Sequence, residues 1–294
     1  MVAPSSSPLH TAVVDWFAAH ARELPWRRPS TTAWHVLVSE IMLQQTPVER
    51  VAPVYDAWVR RWPTPADLAA EPSGEAVRAW GRLGYPRRAL RLHAAATAIR
   101  DHHDGVVPDD LDTLRSLPGI GEYTAAAVAV FAYGHRHAVL DTNVRRVLGR
   151  LLGGDALPAP AITAGERARA VAVLPEDEAT AAQWSIGLME LGALVCTARS
   201  PRCGDCPVRT WCRWHEAGRP AYEGPARRAQ AYAGTDRQCR GRLLAVLRES
   251  EGPVAGGALR AVWDDATQRE RALDGLLDDG LVVLAGDDVY ALPG

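Results

Sequence analysis

The 294-residue sequence contains no lysine, and all 33 of its basic residues are arginine. Any mechanism that needs a lysine amine, whether a Schiff base, a P-loop phosphate contact or a pyridoxal linkage, is thereby excluded for side chains. Only the terminal amine remains. Long apolar runs are missing as well: no segment reaches roughly 18 uninterrupted apolar residues, the length a membrane-spanning helix needs. The opening stretch "MVAPSSSPLHTAVVDWFAAHARELPW" lacks a basic start and is broken by Asp15, so no secretory leader is expected and a cytoplasmic protein is. Cysteine is scarce. Four of the five crowd between 196 and 212, which is unlike a disulfide framework and suggests a metal site in a reducing compartment. No internal repeat or low-complexity tract is present. Neither sign of charge dominates, since 33 bases face 35 acids; from residue 226 onward 9 Arg face 11 acids, which leaves 24 of each before it. Net charge therefore argues neither for nor against nucleic acid. Only local arginine clusters, such as "YPRRALRLH" and "NVRRVLGR", offer a phosphate-binding face.

Helical periodicity fills the chain up to about 216, in segments such as "VYDAWVRRW", "GEAVRAWGRLG", "RRALRLHAAATAIRDHH" and "YTAAAVAVFAYG". The fold class this predicts is all-α. Gly and Pro cluster without apolar periodicity in "GGDALPAPAITAGE" at 153–166, read as a loop, and at 217–228, read as a linker. After the linker, "DRQCRGRLLAVLRES", "GGALRAVW" and "DATQRERALDGLLDDG" read as three helices, and "LVVLAGDDVYAL" as two short strands around a Gly-Asp-Asp turn. That order predicts a small winged-helix-like module over 229–294.

Several positions carry chemistry. In "LVSEIMLQQT", Glu40 shares a helix face with Val36, Leu37, Leu43 and Gln44, so it faces inward, either as a satisfied core carboxylate or as a functional one in a cleft. "LPGIGEYTAAAV" at 117–128 sets a Pro-Gly-x-Gly turn ahead of an Ala-rich helix; it is either a plain helix-joining turn or a device that aims free N–H groups at one phosphate. Asp141 precedes the helical "TNVRRVLGRLL" and suits an N-cap or a reactive carboxylate. Glu190 is a third inward carboxylate, on the apolar "QWSIGLMELGALVC". His135 and His137 read as solvated loop residues, and Cys239 as a buried thiol. Cys196, Cys203, Cys206 and Cys212 lie on one compact loop with six, two and five residues between them, a set that suits a cubic iron-sulfur cluster. A Cys3His zinc site from Cys203, Cys206, Cys212 and His215 is the alternative.

Together, "LPWR", "VSEIMLQQT", "LPGIGEYTAAAV", "LDTNV", "LMELGALVCT" and the four-cysteine loop resemble the adenine DNA glycosylases of the MutY family, within the helix-hairpin-helix glycosylase superfamily, over roughly residues 10–216. The resemblance implies a bilobed catalytic domain over 1–216, with a six-helix lobe at about 31–140 and a [4Fe-4S] lobe formed by 1–30 with 141–216. It implies a monofunctional enzyme that excises adenine mispaired with 8-oxoguanine or guanine in double-stranded DNA, working as a monomer at the nucleoid. By this resemblance Glu40 would protonate the adenine ring at N7, and Asp141 would stabilise or trap the oxocarbenium ion. Tyr123 and Asn143 would line the sugar site, Trp26, Arg27 and Glu190 would surround the extruded base, and Gln44 would fill the gap it leaves. Leu117, Gly119 and Gly121 would present backbone N–H groups to DNA phosphates. An endonuclease III-like lyase shares the hairpin, the Asp and the cluster, but its lysine nucleophile would fall at Tyr123. A cluster-bearing DNA-binding protein without catalysis would need neither Glu40 nor Asp141. Tyr85 would contact the substrate; the chain departs from the family at Pro86, which occupies the place of the second aromatic after Tyr85 that the family uses as a wedge at the lesion, and in its short tail, which carries a winged-helix-like pattern in place of a Nudix-like checking domain.

Overall fold

The computed structural model describes residues 7–224 and 232–294. The end of the expected linker and the first residues of the tail module, 225–231, lie outside them. Contacts divide the chain into two compact units, one built from residues up to 36, 109–115 and 120–225, the other from 37–108, 116–119 and the tail from 226.

The first unit holds the helices Pro8–His20, Glu122–Tyr133, Thr142–Leu148, Ala164–Ala172, Glu178–Leu194 and Arg213–Glu216. Local capping sets their starts. The Asp177 carboxylate accepts from the Thr180 N–H at 2.8 Å to begin the longest of them. Thr163 and Glu166 cap reciprocally, Glu166 N–H to Thr163 Oγ1 at 3.1 Å and Thr163 N–H to Glu166 Oε2 at 2.8 Å, so the expected loop over 153–166 ends at 163. The core joins Val13, Trp16, Val144, Val147, Leu151, Trp184, Leu188, Leu191 and Val195. Residues 120–140, which the resemblance groups with a six-helix lobe, fall in this unit. The reason is packing: Ala126, Ala127, Val130 and Val139 share a small core with Ala182 and Met189.

The second unit contains Val48–Arg61, Pro65–Ala69, Ser73–Trp80 and Arg87–His102. Its centre is a tryptophan cluster, with the ring of Trp58 edge-on to Trp62 at 4.7 Å and to Trp80 at 5.7 Å. The tail belongs here. Its helices Asp236–Glu249, Gly256–Arg260 and Ala266–Asp278 are joined by three short antiparallel strands, Val254–Ala255, Val283–Gly286 and Val289–Ala291, the last lying between the other two. Val254 pairs with Tyr290 and Val283 with Ala291. This is a winged-helix order, with one strand more than the sequence suggested, and Cys239 is buried in its core. Arginines fasten it to the unit. Arg78 donates to the carbonyls of Arg248 and Ser250, the latter at 2.6 Å, and Arg248 in return donates to those of Val77, at 2.9 Å, and Gly81.

The arginine clusters match the sequence expectation only in part. In "NVRRVLGR", Arg145, Arg146 and Arg150 are all buried, so that run forms no phosphate-binding face; in "YPRRALRLH", Arg88 is buried while Arg87 and Arg91 stay exposed. The buried arginines share one physical cause. Each is turned inward by oxygens that its fork of donors can satisfy; Arg145, for example, holds both oxygens of Glu166 at 2.9–3.0 Å. His135 and His137 are half-buried rather than solvated. His135 stacks on Tyr133 and lies 3.6 Å from Asp109, while burial, and then the neighbouring His135, lowers the pKa of His137. No helix among the described residues is long and apolar enough to cross a membrane.

Candidate functional site

Asp141 fills the N-cap of Thr142–Leu148, with Oδ1 accepting from the Val144 N–H at 2.6 Å. Its other oxygen accepts from Asn143 Nδ2 at 2.8 Å. Burial raises the carboxyl above its ordinary 3.8, against the opposing pull of these two donors and of the Arg146 charge. Capping and reactivity are therefore compatible readings: the cap fixes a partly desolvated carboxylate in one orientation. The amide of Asn143 is held in turn, because its Oδ1 accepts from Arg146 Nη2 at 2.8 Å, which leaves Nδ2 to face Asp141. Arg146 also donates to the carbonyls of Gly192 and Cys196, both at 2.7 Å. Gly192 is needed for this approach, since a Cβ there would meet Asn143 Cβ at 2.7 Å.

Glu40 sits near the end of the helix Ala33–Leu43 at 5% exposure, among Leu37, Ser39, Ile41 and Met42, all buried. Gln44 follows directly on that helix and is half-buried. Tyr85 is half-exposed in a left-handed conformation, φ 48°, immediately before Pro86. Pro86 precedes the helix Arg87–His102, in which Arg88 is directed mainly at the backbone around Gln44 and Gly84.

Trp26 and Arg27 form the single turn Pro25–Arg27, with Trp26 buried. Arg27 Nη2 donates to Glu190 Oε2 at 3.0 Å and lies over the Phe17 ring. Glu190 is completely buried on Glu178–Leu194. It also takes Arg22 as a fork, Nε to Oε1 at 2.8 Å and Nη2 to Oε2 at 2.9 Å, and the Arg22 backbone N–H at 3.0 Å. Burial alone would raise the Glu190 carboxyl, but these donors hold it at about 2. With both oxygens occupied, any influence of Glu190 on a ligand runs through Arg27. Arg22 was invisible in the sequence because nothing there marks which arginine a buried Glu selects.

The hairpin joins Leu111–Ser116 to Glu122–Tyr133. The Leu117 side chain is buried, so only its backbone is available to a phosphate. Gly119 is obligatory twice over, with φ 77° and an added Cβ only 2.6 Å from Arg91 Cβ. Gly121 caps the following helix and has open space around it, so its role is not steric. Tyr123 is half-buried in the first turn of that helix and packs against the small core of Ala126, Ala127, Val130 and Val139. Asp141, Asn143, Trp26, Arg27, Glu190, Gly121 and Tyr123 belong to the first unit, and Glu40, Gln44, Tyr85, Leu117 and Gly119 to the second.

Cys196, Cys203, Cys206 and Cys212 line one small cavity together with Arg150, Val195, Pro201 and Trp214. The donor set fits a cubic cluster, one thiolate per iron. Burial, followed by the crowding of the other three thiols, pushes the Cys206 thiol up to about 11, a state that ligation to iron relieves. Arg150, in the π-helical turn Gly149–Gly153, braces the loop by donating to Cys196 Sγ at 3.3 Å and to the carbonyls of Thr197 and Ala198 at 2.8 and 3.1 Å. Its guanidinium stacks 4.3 Å from the Trp214 ring.

A helix-hairpin-helix lead-in, a desolvated Asp at a helix start and a four-thiolate loop define a base-excision DNA glycosylase. The family model of the HhH-GPD superfamily base excision DNA repair proteins matches residues 38–172, and that of the iron-sulfur binding domain of endonuclease III matches 196–212. The second match decides against the zinc alternative, and the loop binds a [4Fe-4S] cluster. An adenine DNA glycosylase of Mycolicibacterium smegmatis is 56% identical over 291 residues, 99% of this chain and 97% of its own length. One from Mycobacterium tuberculosis is 53% identical over 285 residues, covering 97% and 93%. A solved thermostable thymine-DNA glycosylase superposes with a TM-score of 0.63 at 25% identity, covering 71% of this chain and 95% of that one. The chain belongs to the adenine DNA glycosylase family and is a DNA-binding, base-excision-repair hydrolase of N-glycosyl bonds.

Proposed function

We propose that this protein removes adenine mispaired with 8-oxoguanine, or with guanine, from duplex DNA, acting as a monomer at the nucleoid. The observation that carries the reading is the Asp141–Asn143 pair: a desolvated carboxylate, held in one orientation, in a chain with no lysine to form a Schiff base. In this mechanism Glu40 gives its proton to N7 of the extruded adenine, and the bond from C1′ to the base breaks with its electrons going to the ring. Asp141 stabilises the oxocarbenium ion, and water then adds at C1′ and gives its proton to the Glu40 carboxylate left by the first step, leaving free adenine and an abasic site. Tyr123 and Asn143 line the sugar, while Trp26 and Arg27 border the base with Glu190 holding Arg27 in place. Gln44 takes the vacated space in the duplex, and Tyr85, the aromatic that remains in the wedge motif beside Pro86, wedges next to it. The backbone around Leu117, Gly119 and Gly121 receives a phosphate. When bound, the cluster supplies a four-point crosslink of the loop 196–212 and no chemistry at the glycosidic bond.

The test is single-turnover excision with Glu40→Gln, a nearly isosteric change that cannot deliver the proton. The variant should bind an adenine mispair and extrude the base yet lose roughly 100-fold or more in rate. Near-normal turnover would leave Glu40 a core residue. Borohydride should trap no covalent adduct, since neither Tyr123 nor any other side chain can form an imine.

A further inference from the structure

Arg88 is 6% exposed, and among the described residues no carboxylate pairs with it. Burial draws its pKa down to about 10, so the side chain is still a cation at neutral pH. Its guanidinium faces neutral oxygens. Nη1 donates to the carbonyls of Ile41 at 2.9 Å, Met42 at 3.1 Å and Gln44 at 2.5 Å. Nη2 donates to Thr46 Oγ1 and to the Gly84 carbonyl, both at 3.0 Å. The Trp80 and Tyr85 rings lie 5.2 and 5.4 Å from its central carbon.

These oxygens belong to two separate turns. One is the exit of the helix Ala33–Leu43, where Gln45 has φ 55°; the other is the entry to Arg87–His102, where Gly84 has φ 84° and Tyr85 φ 48°. A left-handed conformation at Gln or Tyr is unfavourable and persists only where the surroundings fix it. The Arg88 side chain is what the two turns share. Thr46 strengthens the tie, since its hydroxyl is within 3.3 Å of both the Gln44 and the Leu83 carbonyls. A buried cation spent on backbone oxygens is a costly way to finish a helix, for which water or a glycine cap suffices. It is well suited to joining two turns, because a planar fork reaches both where a lysine ammonium reaches one.

We infer that Arg88 is a positioning residue that couples Gln44 to Tyr85, so that the gap-filling side chain and the wedge enter the duplex as one rigid edge. This rests on the roles given above to Gln44 and Tyr85. A duplex carrying 2-aminopurine in place of the target adenine, opposite 8-oxoguanine, reports unstacking by its fluorescence in stopped flow. Gln44→Ala, Tyr85→Ala and Arg88→Lys should each slow unstacking by about 10-fold, with Arg88→Lys less stable but still folded at the assay temperature, and Arg88→Lys combined with either alanine variant should be no slower than the single changes. Multiplying losses, or unstacking at the wild-type rate in Arg88→Lys, would overturn the coupling. If Gln44→Ala and Tyr85→Ala themselves unstack normally, the roles of those two residues fail, and the inference with them. Should Arg88→Lys not fold, Thr46→Val carries the same test: about 3-fold slowing that vanishes in the Gln44→Ala background supports the tie, and a wild-type rate refutes it.

Discussion

Replacing Glu190 by Gln removes the negative charge that Arg22 and Arg27 share. The magnitude follows from the structure. An ordinary Glu titrates at 4.5, and this one is held at about 2 because two arginines and a backbone N–H outweigh a burial that would otherwise raise it. At about 1.36 kcal/mol per pH unit, that gap is worth about 3 kcal/mol of folding free energy at neutral pH. The guanidinium partners are 33% and 23% exposed, so water recovers part of their solvation after the substitution, which puts the loss near the lower end of the roughly 3–5 kcal/mol expected for breaking a buried pair. The pH dependence has a definite sign. A depressed carboxylate contributes stability that is present above 4.5 and is lost as the pH falls through about 2, so the difference between wild type and Glu190→Gln should be constant from neutrality to about pH 5 and shrink by more than half by about pH 3. Urea denaturation of both proteins across that range reads it directly. A variant as stable as wild type at pH 7, or a difference that does not change down to pH 3, would refute the clamp. Excision should fall alongside, because Arg27 loses the anchor that aims it.

Asp141→Asn should lose on the order of 1,000-fold in excision rate while remaining folded. The raised Asp141 carboxyl gives stability that is present below its ordinary 3.8 and lost as the pH rises through its folded value, so between about pH 4 and pH 7 the balance of stability should move toward the variant, as parallel urea titrations would show. The purified protein should be yellow-brown, with absorption near 400 nm and about four irons per chain, and Cys203→Ser should lower the iron content. Arg248→Met leaves the Val77 and Gly81 carbonyls without their donor and should cost about 2–4 kcal/mol, measured by thermal denaturation; truncation after Gly224 should destabilise the second unit further by also removing the Pro293 carbonyl that accepts from the Gly74 N–H.

Much of this architecture was legible because its signals are local. The periodicity of "RRALRLHAAATAIRDHH" and "DATQRERALDGLLDDG" marks helices that form where expected, and a cysteine spacing of six, two and five confines four thiols to one loop whatever surrounds it. Glu40 could be placed on an inward face from three- and four-residue spacing alone. What stayed hidden depends on partners distant in sequence. Nothing in "LPWRRP" tells that Arg27 will meet a carboxylate 163 residues away, and nothing in "SGEAVRAW" tells that Arg78 and Arg248 will reach across to one another's helix ends.

Arginine shows most clearly why composition misleads here. Runs such as "NVRRVLGR" suggest a basic surface because charged residues are rarely buried. Yet Arg88, Arg146 and Arg150 each direct their donors mainly at backbone carbonyls, and Arg248 does the same for the tail. A chain without lysine has one cation to use inside and outside, and the guanidinium suits both because it stays charged when buried and satisfies several oxygens from one plane. Those four positive charges are therefore not available to phosphates. In the catalytic reading, DNA affinity is then left to backbone N–H groups at the hairpin and to exposed arginines, Arg87 and Arg91 among them and, on the cysteine loop, Arg199, Arg202 and Arg209. The iron-sulfur loop and the arginine behind it thus form one device: Arg150 is turned inward on Cys196 and Trp214, and the loop it braces turns its other arginines outward.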